Sequence, residues 1–147
     1  MKDVMQKIKN DIENSGRSCI TVAGEHTYSV GEALVNSKDI ILSVPLQPSL
    51  CATLINDTCT LIRSGELGNQ KSDKVIKGFD VWILPCNDKL TSEHTGAGLR
   101  YYTEHTDSLE KVTYWQLVLP DSKGQFPWEN AYDSTFIQPL YCNPPAH

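Results

Sequence analysis

Val112-Thr113-Tyr114-Trp115-Gln116-Leu117-Val118-Leu119 is the stretch on which the fold turns. Its β-branched, aromatic and leucine side chains, closed by Pro120-Asp121-Ser122-Lys123-Gly124, read as a strand that runs into a dense turn. The length and apolar character of the run place it inside a sheet. A second run, Ile40-Ile41-Leu42-Ser43-Val44, is almost continuously apolar, as a strand covered on both faces is. It belongs at the centre. Working outward, Asp80-Val81-Trp82-Ile83-Leu84 is a further strand stopped by Pro85, and residues 19–23 and 27–30, divided by Gly24-Glu25-His26, read as a hairpin.

Around these strands the helical period recurs. Val4, Met5, Ile8 and Ile12 form an apolar stripe that ends at Ser15-Gly16, and Pro48 opens a helix carrying Leu50, Leu54, Ile55, Leu61 and Ile62 that closes at Ser64-Gly65. Residues 91–105 read as helix from Thr91, although Gly96 and Gly98 each cost about 1 kcal/mol relative to Ala in a helix interior. Residues 66–78 are polar, hence loop or a weak edge strand. The irregular alternation predicts an α+β fold: a single domain with a mostly antiparallel sheet and two to three packed helices. The expected layout is an N-terminal helix over 1–16, the α+β domain over 17–142 and a flexible tail over 143–147. No internal repeat divides the chain.

The 147 residues are 39% hydrophobic and 21% charged, the usage of a globular domain rather than a disordered one. No apolar run approaches the roughly 18 to 20 residues needed to span a bilayer, and the first helix carries Lys2, Asp3, Lys7, Lys9 and Asp11 where a signal peptide is apolar. A cytoplasmic protein without a membrane is expected. Thirteen basic and eighteen acidic residues leave a net charge of −5, and no run of Lys or Arg occurs. Duplex nucleic acid, whose binding rests on neutralised phosphates, is not an expected partner. The five cysteines (Cys19, Cys51, Cys59, Cys86, Cys142) form no CxxC pair and read as reduced thiols. Cys51 and Cys59 would stand about 12 Å apart on a helix, beyond disulfide reach.

The segment Gln116-Leu117-Val118-Leu119-Pro120-Asp121-Ser122-Lys123-Gly124-Gln125-Phe126-Pro127-Trp128-Glu129, followed by Gln138-Pro139-Leu140, resembles the pattern QLVWPD..G.FPWE, then QP, of a bacterial family described as domain of unknown function 4262. Thr27-Tyr28-Ser29-Val30-Gly31 resembles that family's YTIG run, and Arg100-Tyr101-Tyr102 its aromatic pair before the last strand. The likeness spans residues 19–141. Leu119 stands where the family has Trp, and Glu32 where it has Leu. The resemblance implies a fold unit and a patterned surface, and it brings no activity with it.

Nine of the twelve aromatic residues fall between 101 and 141. Most are expected to pack in the core, but Phe126-Pro127-Trp128-Glu129 differs. Pro fixes its own φ and biases Phe126 toward extended backbone, so two large rings sit on a stiff loop. Beside Arg100, that loop is expected to wall a pocket for a planar anion, with Tyr28, Tyr101, Gln116, Phe126 and Trp128 as the other ligand-binding residues. Thr95-Gly96-Ala97-Gly98-Leu99-Arg100 lacks the Lys-Ser/Thr of a phosphate loop, so close helix packing is the cheaper reading. Glu93-His94 and Glu104-His105 would lie about 16 Å apart on a continuous helix, too far for one metal ion. His26 reads as a solvent-facing turn residue, and Asp121 and Glu129 as turn caps.

Three functions compete. The first is a non-enzymatic binding protein that encloses a nucleotide-like aromatic anion and sequesters it as phage-encoded sponge proteins do, without cofactor or catalytic residues. The second is a hydrolase or lyase using His26, Asp121 or Glu129 on a similar ligand. The third is a protein-interaction module with an exposed aromatic patch. Homo-oligomerisation stays open.

Overall fold

The computed structural model of the chain describes residues 2–105 and 112–145. Along it run α1 (Lys2–Ser15), β1 (Ser18–Val22), β2 (His26–Val30), α2 (Ala33–Asn36), β3 (Lys38–Leu42), α3 (Pro48–Arg63), β4 (Lys71–Ile76), β5 (Phe79–Pro85), α4 (Asp88–His94), α5 (Gly96–His105) and β6 (Thr113–Val118). The strands form one sheet in the order β1-β2-β3-β6-β5-β4. Neighbours are antiparallel except β3 and β6, which run parallel with Ile40 opposite Trp115 and Ile41 opposite Gln116. The two most apolar runs of the sequence therefore lie side by side at the centre, where both faces are covered. The polar stretch before residue 78 supplies the edge strand β4.

Strand alternation sorts the core into two layers. Ile40, Leu42, Val81, Ile83 and Leu117 face Cys51, Leu54, Ile55 and Cys59 of α3. Tyr28, Val30, Ile41 and Tyr114 face the other way, toward Ile8 of α1 and Tyr101 and Tyr102 of α5. The α+β class with a mostly antiparallel sheet is thus observed, with five helices among the described residues where two to three were expected. Pro48 occupies the first turn of α3, where a missing N–H costs nothing.

Residues 91–105 are not one helix. The helical path breaks at Thr95, and at the break the His94 carbonyl accepts a hydrogen bond from His26 Nε2 at 2.6 Å. The spacing argument over the two Glu-His pairs loses its premise. Gly98 sits in α5 where a Cβ would come within 2.8 Å of the Tyr114 hydroxyl, so the glycine is there for close approach of helix to sheet.

Two buried carboxylates tie the layers together. Glu32 accepts hydrogen bonds from Arg17 Nη1 at 2.8 Å and from Arg63 Nη2 and Nε at 2.7 and 2.8 Å, joining the start of β1, the turn before α2 and the end of α3. Burial alone would raise its pKa, but the two guanidinium groups outweigh it and hold the carboxyl below the usual range. Asp39 is fully buried and accepts from Ser29, from the Tyr102 hydroxyl and from the backbone N–H groups of Glu32 and Ala33. Burial pushes its pKa up to about 7 against the pull of those donors.

All five cysteines are free. Among the described residues no helix is long and apolar enough to cross a membrane. Of the expected tail, Asn143, Pro144 and Pro145 lie in a cleft beside Trp82 and Leu84, while residues 146 and 147 fall outside the described residues.

Candidate functional site

The turn after β6 is held by one carboxylate. Asp121 accepts from the backbone N–H groups of Lys123 and Gln125 through Oδ1, both at 2.9 Å, and from that of Asp133 through Oδ2 at 2.8 Å. Its burial works to raise the pKa, yet those three donors keep it below the ordinary value. Glu129 Oε1 accepts from Phe126 N at 2.9 Å. Between these staples Pro127 stiffens the backbone, and Phe126 and Trp128 stack with centroids 5.3 Å apart and planes 8° from parallel. Trp82 of β5 meets Trp128 edge-on at 6.4 Å and 71°.

These rings line an open groove of about 720 Å³ between the β4–β5 hairpin and the loop, bounded also by Lys71, Phe79, Asp80, Glu129 and Asn130. The register explains why the polar groups gather there. Lys71 is the cross-strand partner of Trp82, and Asp80 lies two residues before Trp82 on the same face of β5. An ammonium and a carboxylate therefore bracket the indole. Phe79 remains 55% exposed at the groove's outer end. The volume falls within the roughly 300–1,000 Å³ of small-molecule sites. A second cavity, about 240 Å³, lies beneath α4 and α5 against Tyr102 and Tyr114.

Of the residues expected to share one concavity, the structure brings only Phe126 and Trp128 into this groove. Tyr28 and Tyr101 belong to the core between sheet and α1 and α5, and Tyr101 stacks on His105 at 4.5 Å. Gln116 is fully buried and uses both ends of its amide. Its Nε2 donates to Ser43 Oγ and to the Pro139 carbonyl, and its Oε1 accepts from Tyr141 N. Gln138 clips Leu119 in the same way, Oε1 accepting from its N–H and Nε2 donating to its carbonyl, both at 2.8 Å. The two glutamines of the quoted pattern thus act as backbone clips that bind the C-terminal segment to β6. Arg100 is exposed on α5 and pairs with Glu104 at 3.0 Å; it is not among the residues lining the groove. Lys71 and Trp82 were missed because only cross-strand pairing brings them to the loop. The alternation of β5, which sends Trp82 opposite to Val81 and Ile83, was the available signal.

The groups weighed as acids and bases are otherwise engaged. Asp121 and Glu129 hold the loop, as turn capping predicts. His26 is not a solvent-facing turn residue: it opens β2 at 4% exposure, because its ring packs 5.4 Å from His94 and 6.2 Å from Tyr141. Burial lowers its pKa, and its Nδ1 has no hydrogen-bond partner. Among the described residues no cluster of His, Cys, Asp or Glu is arranged to hold a metal ion.

The model of one family, described as domain of unknown function (DUF4262), matches residues 11–133. No curated protein matches the chain. No solved structure matches it either.

Proposed function

Since the chain belongs to the family described as domain of unknown function (DUF4262), whose description assigns no activity, we propose from the groove itself that the protein is a non-enzymatic binder of a planar, nucleotide-like small molecule. The observation that carries this reading is the aromatic wall formed by Trp82 of β5 with Phe126 and Trp128, the latter two on a loop stapled by Asp121 and Glu129. A wall held rigid before the ligand arrives loses little entropy on binding, and stacking contributes about 1–3 kcal/mol per base. The residues considered for hydrolysis are committed to loop structure or to the core, which favours binding over turnover. A binder of this kind acts by withholding its ligand from other proteins.

Titration with adenosine, guanosine and their mono-, di- and triphosphates, followed by tryptophan fluorescence, tests the proposal. At least one member is expected to quench the emission saturably and to be recovered unchanged. Trp128→Ala should weaken that binding by about tenfold or more through lost stacking, while Arg100→Ala, outside the groove, should leave it as it was. Silence across the whole panel would overturn the binding reading, and a chemically altered probe would favour the hydrolase.

A further inference from the structure

Resting on that reading, we infer that the groove selects the uncharged, aminated base and sugar of a nucleoside and disfavours nucleoside polyphosphates. The argument is one of charge and position. Among the groove-lining residues Lys71 is the only cation, against the carboxylates of Asp80 and Glu129. The wall therefore carries a net charge of −1, and Arg100, the cation expected to complete an anion site, is paired with Glu104 elsewhere. A diphosphate brought to this surface meets one ammonium and two carboxylates, and juxtaposed like charges select against such a partner.

The same carboxylates suit a ligand with hydrogen-bond donors. Asp80 and Lys71 flank Trp82, one on its own strand and one across the ladder. A base stacked on the indole then presents its exocyclic amine to Asp80, which accepts, and a ring or sugar acceptor to Lys71, which donates. Glu129 spends Oε1 on Phe126 N, which leaves Oε2 for a sugar hydroxyl. Lys71, across the ladder, and Asp80, along the strand, approach the ring from two different directions, so the site reads the edge of the base rather than its phosphate tail.

The order of affinities in the fluorescence titration decides the matter. Adenosine or guanosine is expected to bind at least about tenfold more tightly than its own diphosphate at low salt, with the gap narrowing as salt screens the repulsion. Asp80→Asn should weaken the nucleoside and strengthen the diphosphate, closing the gap from both sides. Diphosphate binding as tight as nucleoside binding, or an order of affinities unmoved by Asp80→Asn, would overturn the inference while leaving a stacking binder intact. No binding by any member removes the groove reading itself, so the two failures are distinguishable.

Discussion

Val118→Asp is expected to yield no soluble, folded protein. Val118 has no exposed surface, lies opposite Trp82 in an interior strand, and packs with Leu84, Phe126 and Cys142. A carboxylate there meets no cation, and the effective penalty for burying an unpaired ion is several kcal/mol. That is comparable with the roughly 5–15 kcal/mol of a whole domain. Expression at several temperatures, with circular dichroism of any soluble fraction, checks it. A cooperative melt at the wild-type temperature would show that β6 does not bury this side chain.

The second large effect belongs to Glu32. Replacing it with Ala leaves Arg17, nearly buried, and Arg63, 36% exposed, without their shared acceptor. Removing one partner of a buried pair costs about 3–5 kcal/mol, and the partial exposure of Arg63 puts the expectation near the lower end. Chemical denaturation measures it. The pH dependence supplies an independent readout. The folded carboxyl titrates below its unfolded value, so its contribution is complete above the unfolded pKa and is lost as pH falls through the folded one. Wild-type stability should therefore drop on acidification below about pH 5 more steeply than that of Glu32→Gln. Parallel pH profiles for the two proteins would refute the ionised triad.

How much of this was legible in the sequence depended on how local each signal is. The apolar runs of β3 and β6 and the capped period of α3 declare themselves within a dozen residues, because strand burial and helix faces are written in adjacent positions. The stiffness of the Phe126-Pro127-Trp128 loop was legible for the same reason. What it faces was not. Lys71 and Trp82 reach it through strand pairing across some fifty residues of chain, and no local pattern carries that register. The break at Thr95 and the burial of His26 are two sides of one contact, the His26 ring against the His94 carbonyl, invisible from either stretch alone. Arg100 misled because sequence proximity to an aromatic pair says nothing about which side of α5 it occupies. Glu32 stood out only as a departure from the family pattern, and its two arginine partners come from different elements.

The single parallel joint has a further consequence. β3 and β6 are the last strands of two successive runs, α1-β1-β2-α2-β3 and α3-β4-β5-α4-α5-β6, each a helix, a hairpin, a helical connection and a returning strand. Pairing two such units through parallel final strands relates them by a pseudo-twofold axis lying in the sheet along the seam. An axis so placed exchanges the faces of the sheet, and α1 and α3 do lie on opposite faces. The architecture is a topological doublet, although the residues of the two runs show no repeat. Among the described residues the segment 119–145 has no counterpart in the first unit, and it carries Phe126, Trp128 and both staples. Symmetry accounts for the scaffold on each side of the seam, and the groove is the place where the halves stop being equivalent.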